Sequence, residues 1–287
     1  MEKIENNVVV AKSAGFCFGA GRAVNELEKA LNEGCPIYTY GPILNNDILV
    51  NDFSIRGVRV INDVSKLKDL PKGKIVIRSH GVSKKVYDSI VATGFEVIDA
   101  TCPFVKRIHN IVEKRSQCGE TIVVIGNPKH PEVEGIVGWS KTGAIVLEDP
   151  KEIEKLSSFI EKKLCIVAQT TFNRNKFQEF LEIFNENSYN INVMNTICDA
   201  TRIRQAEAEK VSQVADVMIV IGDPKSSNSR KLYDICRENC KVTYFIQTVD
   251  DVKGKYFGDV GLVGITAGAS TPKYIIEEVQ SYVRNDV

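Results

Sequence analysis

The chain has 287 residues, of which 43% are apolar and 26% charged, a composition that supports a sizeable core. Thirty-seven Lys and Arg balance thirty-seven Asp and Glu, and no block of like charge marks a nucleic-acid tail or a membrane patch. No run of eighteen apolar residues occurs, and Met1-Glu2-Lys3-Ile4-Glu5 lacks the basic-then-apolar layout of a secretory leader, so a cytoplasmic monomer without nucleic-acid or membrane partners is expected. In that reducing compartment the eight cysteines read as ligands and small buried hydrophobes rather than as a disulfide framework.

The elements recur in a fixed series along the chain. Gly15-Phe16-Cys17-Phe18-Gly19 opens a helical pattern, and about twenty residues on the run Ile37-Tyr38-Thr39-Tyr40 ends in Gly41, followed by the polar loop Pro42 to Asn46. A short apolar strand, Ile75-Val76-Ile77, then runs into Arg78-Ser79-His80-Gly81, with Ser83 placed to cap a helix. The series restarts at Ala100-Thr101-Cys102-Pro103, continues through Ile122 to Gly126 and Asn127-Pro128-Lys129-His130, and reaches Cys165 to Ala168 with Gln169-Thr170-Thr171. It restarts again at Thr196-Ile197-Cys198-Asp199, with Met218 to Gly222, Asp223-Pro224-Lys225-Ser226, and Leu262 to Ala267 leading into Gly268-Ala269-Ser270. Thr271-Pro272 predicts a last helix with Thr as cap and Pro in its first position.

The repeat is quantitative: the three cysteines are 85 and 96 residues apart, and so are Gly41, Gly126 and Gly222. Continuous Val/Ile runs alternating with helices predict parallel strands buried on both faces, hence an α/β protein of three units, residues 1–100, 101–196 and 197–287. In such sheets ligands sit beyond the carboxyl ends of the strands, where all three cysteines and the six polar turns fall. Pseudo-threefold symmetry would bring Cys17, Cys102 and Cys198 to one centre.

Three thiolates without a Cys-x-x-Cys pair fit a closed zinc site poorly, whereas a cubane 4Fe-4S cluster held by three cysteines keeps one open iron. Cys35, Cys118, Cys165, Cys236 and Cys240 lack repeat counterparts and read as structural. Four residues past each repeat glycine stand Asn45, His130 and Ser226, followed in the third copy by Ser227 and Asn228, while the other turns add His80, Thr170 and Ser270. Together with backbone N–H groups at helix starts, these donors suit a phosphate or diphosphate. Two of only three histidines, His80 and His130, occupy these turns, and Glu132 beside them is a candidate proton donor; His109 reads as packing. Trp139, Phe172, Phe177 and Phe180 read as core, and Arg202 and Arg204 as solvated helix faces. Neither a Gly-x-Gly-x-x-Gly turn nor a Gly-Lys-Ser/Thr loop is present to hold a nucleotide.

Gly15-Phe16-Cys17, Ser79-His80-Gly81-Val82, Asp99-Ala100-Thr101-Cys102-Pro103, His130-Pro131-Glu132-Val133-Glu134-Gly135, Gln169-Thr170-Thr171, Ser226-Ser227-Asn228-Ser229 and Thr266-Ala267-Gly268-Ala269-Ser270 closely resemble the IspH/LytB family, from about residue 8 to 285. The resemblance implies a trefoil of α/β domains around a 4Fe-4S cluster on Cys17, Cys102 and Cys198. It also implies two-electron, two-proton removal of the allylic hydroxyl of 4-hydroxy-3-methylbut-2-enyl diphosphate, giving isopentenyl and dimethylallyl diphosphates. By the same resemblance Glu132 is the proton source, acting with Thr170 and His130; His80, His130, Ser226, Ser227, Asn228 and Ser270 grip the diphosphate; and electrons come from a ferredoxin or flavodoxin. Where the family usually carries His-Asn in the first polar loop, this chain has Asn45-Asn46, which implies a weaker grip at that corner. Two other readings keep the thiols on a cluster but change its use: a dehydrating cluster enzyme resembling quinolinate synthase, with one cysteine in each of three domains, and a cluster-bearing redox sensor or structural protein, which would not need the ring of donors.

Overall fold

In the computed structural model residues 7–255 and 260–286 are described, so that the Met1–Glu5 stretch weighed above lies outside them. The first part of the chain forms β1 (Val8–Val10), α1 (Phe18–Leu31), β2 (Ile37–Tyr40), α2 (Asp47–Ile55), β3 (Arg59–Ile61), β4 (Lys74–Ile77), α3 (Lys84–Val91) and β5 (Glu96–Asp99). Next come α4 (Pro103–Gln117), β6 (Thr121–Ile125), α5 (Pro131–Val137), β7 (Ala144–Leu147), β8 (Leu164–Ala168), α6 (Arg174–Glu186) and β9 (Ile191–Met194). The remainder supplies α7 (Asp199–Ser212), β10 (Val217–Ile221), α8 (Ser227–Asn239), β11 (Val242–Ile246), β12 (Val263–Ala267) and α9 (Lys273–Asp286).

These strands make three four-stranded sheets, ordered β1-β12-β10-β11, β5-β4-β2-β3 and β9-β8-β6-β7, with every pairing parallel. The expected α/β class is therefore observed, and one strand order serves all three sheets. The Val/Ile runs explain why. In β6 and β8 alternate residues feed two cores: Val123, Ile125 and Ile166 pack with Phe177, Phe180 and Phe184, while Ile122, Val124 and Val167 pack with Ile108, Val112 and Val133. A strand with apolar side chains on both faces needs a helix on each, and parallel crossovers deliver them.

The repeat also appears in the hydrogen bonds at the strand ends. Gly41, Gly126 and Gly222 donate their N–H groups to the last carbonyl of the neighbouring strand, at Ile61 (2.8 Å), Leu147 (2.9 Å) and Ile246 (2.8 Å). Cys102, Cys198 and Cys17 donate theirs to the carbonyl two residues beyond β4, β8 and β12, at Ser79 (2.9 Å), Thr170 (3.0 Å) and Ala269 (3.3 Å). Each cysteine thus follows the edge strand of a sheet, β5, β9 or β1, and is moored to the strand beside it. The positions 100 and 196, where the sequence suggests divisions, lie between such a strand and its cysteine.

Compactness divides the chain into two units. One comprises the N-terminal segment through Gly21, Asn45–Asn51 and the chain from Asp199 on, and holds the β1-β12-β10-β11 sheet. The other comprises Arg22–Leu44 and Asp52–Cys198 and holds the other two sheets. Two local expectations are corrected. The last helix begins at Lys273, after Pro272, and the Thr271 hydroxyl donates to the Ile221 carbonyl (3.1 Å) where a cap was expected. Arg204 is no solvated residue: it is 3% exposed, and its guanidinium donates to the carbonyls of Ser13 (2.8 Å) and Gly15 (2.7 Å) in the turn before Cys17.

Candidate functional site

In the larger unit the site grows from the start of α5. His130 caps that helix, its Nδ1 accepting the Glu132 N–H (3.1 Å), so the imidazole proton resides on Nε2. Pro131 holds the first helical position, where a missing N–H costs nothing. That start fixes Glu132, which is 2% exposed. Both of its carboxyl oxygens meet Thr170 in the turn after β8: Oε1 accepts the Thr170 N–H (2.7 Å) and Oε2 lies 2.8 Å from Oγ1. Burial holds the Glu132 carboxyl above the usual carboxylate range, against the opposing pull of the two Thr170 bonds. The Thr170 carbonyl in turn takes the Cys198 N–H, so a helix-starting thiol and a buried acid share one mooring residue.

His80, in the turn after β4, meets His130 edge to face with ring centroids 5.2 Å apart. Burial, then the neighbouring His130 and Arg78, holds His80 well below the ordinary imidazole value; burial and Arg78 hold His130 down to about 4. The His80 Nδ1 is enclosed and has no hydrogen-bond partner among the described residues. Two neutral imidazoles, one with an unused nitrogen, therefore stand ring against ring, with His130 two residues before the buried Glu132. An anion beside them would raise the pKa of both imidazoles toward protonation.

The smaller unit carries the remaining candidates. Ser226 caps α8, its hydroxyl accepting the Ser229 N–H (3.3 Å), with Ser227 in the first turn. Asn228 is 4% exposed, and both polar atoms of its amide are buried without a partner among the described residues. An unpaired buried group costs about 1–3 kcal/mol, and a ligand oxygen at the head of α8 would relieve it. The Ser270 hydroxyl donates to the Asn45 carbonyl (3.1 Å), and the Asn45 amide donates to the Lys225 carbonyl (3.2 Å). The cap of α2 is the next residue: Asn46 Oδ1 accepts the Leu49 N–H (3.0 Å) while its amide donates to the Ser270 carbonyl (3.0 Å). The register of the first polar loop thus slips by one, with Asn46, His130 and Ser226 as equivalent caps.

Each of Cys17, Cys102 and Cys198 immediately precedes a helix, α1, α4 or α7, and each is half-buried. The Ala20 N–H points to the Cys17 sulfur (3.4 Å), and a helix start favours negative charge on such an atom. The donor chemistry therefore fits a thiolate-held cluster. No group of three or more His, Cys, Asp or Glu side chains among the described residues stands close enough together to hold a metal ion, and no disulfide is formed. The other cysteines behave differently: burial pushes the Cys165 thiol up to about 11 and Cys236 up to about 12, Cys240 is buried, and Cys118 ends α4 in solvent. His109 is core as expected, stacked on Trp139 with centroids 5.1 Å apart. Sequence reading missed Arg204, because a helix arginine near Asp199 and Glu207 looks solvated until β1 is known to place the Ser13 turn against α7.

These features define a class: a parallel α/β protein whose strand ends present helix-starting thiols, neutral histidines, a buried acid and polar helix-capping turns. The LytB protein family profile matches residues 8–284. A 4-hydroxy-3-methylbut-2-enyl diphosphate reductase of Caldanaerobacter subterraneus subsp. tengcongensis is 41% identical over 280 residues, 97% of this chain and 96% of that one. One of Thermoanaerobacter sp. is 43% identical over 282 residues, 96% of each chain. Among solved structures, (E)-4-hydroxy-3-methyl-but-2-enyl diphosphate reductase, the terminal enzyme of the non-mevalonate pathway, is 37% identical with a TM-score of 0.73, covering 98% of this chain and all of that one. The E-1-hydroxy-2-methyl-but-2-enyl-4-diphosphate reductase of Plasmodium falciparum is 28% identical with a TM-score of 0.88, covering 98% and 88%. The chain belongs to the LytB family.

Proposed function

We propose that this protein is a 4-hydroxy-3-methylbut-2-enyl diphosphate reductase, removing the allylic hydroxyl with two electrons and two protons to give isopentenyl and dimethylallyl diphosphates. The observation that carries the mechanism is the buried Glu132, bonded through both oxygens to Thr170 and two residues from neutral His130. Cys17, Cys102 and Cys198 would hold the 4Fe-4S cluster, which when bound supplies single electrons and an open iron. Glu132, whose carboxyl burial holds above its ordinary value, delivers a proton to the departing oxygen, with Thr170 fixing the direction of the carboxyl. His80, His130, Ser226, Ser227, Asn228 and Ser270 bind the diphosphate, Asn45 adds a neutral donor, and the two histidines gain protons as the anion arrives. As the family resemblance implies, a ferredoxin or flavodoxin supplies the electrons, and the protein works as a cytoplasmic monomer.

The test is anaerobic purification with iron and sulfide analysis, then turnover of the hydroxylated diphosphate with a chemical reductant. Glu132→Gln should retain the cluster's absorbance and lose turnover by about 10²–10⁴-fold, the usual worth of a positioned acid. A variant that turns over at the original rate would remove Glu132 from this role, and failure of the wild-type protein to consume the diphosphate would sink the assignment.

A further inference from the structure

Helix α4, which starts directly after Cys102, carries an open groove of about 550 Å³ on its exposed side. The groove has an apolar floor, Ile111 and Met194, and a basic rim, Lys106, Arg107, Lys114 and Arg115. Met194 ends β9, four residues before Cys198, so the floor spans the segments that lead from Cys102 and into Cys198. Two rim cations are neutralised: Lys106 pairs with Asp99 (2.6 Å) and Arg115 with Glu120 (3.2 Å), which also holds Lys163 (3.1 Å). Arg107 and Lys114 are exposed and make no ion pair among the described residues, which leaves two uncompensated positive charges over an apolar centre. Phe104, two residues beyond Cys102, adds a side chain 40% exposed.

We infer that this groove is the docking surface for an acidic one-electron carrier protein. The inference rests on the reductase reading above, which requires electrons from outside the chain. An apolar centre flanked by two unpaired charges suits a transient redox encounter: the charges steer the partner and the apolar floor brings it close, without an extensive permanent interface. Each encounter oxidises the carrier by one electron. Two encounters supply the pair consumed when the substrate's C–O bond breaks, a C–H bond forms, and the oxygen leaves as water with the second proton. The neutral net charge of the chain makes the local patch, rather than the whole molecule, the source of steering.

The charge reversal R107E/K114E tests this, with the cluster-loaded protein and a plant-type [2Fe–2S] ferredoxin as the probe. Three quantities are read: the affinity for oxidised ferredoxin by calorimetry at several salt concentrations, turnover driven by reduced ferredoxin, and turnover driven by reduced methyl viologen. The expected result is a loss of ferredoxin affinity of about tenfold or more with a flattened salt dependence, a matching rise in the Michaelis constant for ferredoxin, and unchanged viologen-driven turnover. The conservative R107K/K114R should restore binding, and K151E/K155E, outside the groove, should leave it intact. Ferredoxin affinity and salt slope unchanged in R107E/K114E, with viologen turnover intact, would overturn the surface alone. Absence of viologen turnover in the wild-type protein would overturn the reductase reading beneath it.

Discussion

At the scale of single residues, two side chains separate this chain from a generic reading of its motifs. Asn45 stands where the resembling family carries histidine, and its amide is engaged with the Lys225 carbonyl (3.2 Å). A neutral amide gives a phosphate oxygen about half the interaction of a charge-assisted donor. We therefore expect Asn45→His to lower the Michaelis constant for the diphosphate several-fold below pH 6.5, with the gain fading as the imidazole deprotonates; a constant and a pH profile identical to wild type would refute this. Arg204 works through structure rather than contact with substrate. It is 3% exposed and spends its donors on Ser13 and Gly15, while Glu207 accepts the N–H groups of Lys12 and Ser13 (both 2.8 Å). The turn that delivers Cys17 is thus clamped from α7. Since hydrogen bonds to a charged group contribute about 1.5–3 kcal/mol, Arg204→Met should lower stability by that order and reduce the iron bound per chain, measured by melting of the apo protein and by iron analysis after reconstitution.

At the scale of elements, the caps and strand ends decide where side chains point. Gly41 has φ +71°, and a Cβ there would stand 2.6 Å from the Arg78 guanidinium, so Gly41→Ala meets both backbone strain and a neighbour that must move. A loss of about 1–3 kcal/mol is expected, read as a lower urea midpoint with an unchanged m-value. These elements also mark the limits of sequence reading. The Val/Ile runs of β6, β8 and β10, the glycines that end the central strands and the three cysteines were legible because their periodicity and spacing repeat. The strand β1 was not: Val8–Val10 is too short to show a period, and its partner β12 begins at Val263. Without β1 the burial of Arg204 cannot be foreseen. The slip of the cap from Asn45 to Asn46 escapes a count of residues for a related reason, since α2 starts by the bonds available to it, and Asn46 secures both Leu49 and Ser270. The Glu132 and Thr170 pair was legible only as two residues in neighbouring turns; that both carboxyl oxygens bond one threonine follows from the register of β6 against β8.

For the whole molecule, the consequence of burying every histidine is sensitivity to acid. Burial is the leading cause for all three: His80 is held well below the ordinary value, and His109 and His130 are each held down to about 4, although Asp99 pulls His109 the other way. In the unfolded chain these imidazoles take up protons near pH 6.5, whereas in the folded chain His109 and His130 do so only near pH 4, and His80 only well below its ordinary value. Between those limits the unfolded state binds more protons, so stability rises with pH and is lost as the pH falls. From pH 7.5 to pH 5, His109 and His130 should each withdraw up to about 2 kcal/mol, with a further loss through His80. Glu132 acts in the opposite sense, because its raised pKa lets the folded state hold a proton that the unfolded state releases above the usual carboxylate range, and it offsets part of the loss near pH 5. Urea denaturation of the cluster-free protein at the two pH values should therefore show a marked fall in midpoint toward acid, and His130→Asn should flatten that fall relative to wild type. A midpoint independent of pH between 7.5 and 5 would mean that the histidines are already charged in the folded chain. A diphosphate would then find its cations waiting, and proton uptake would not accompany binding.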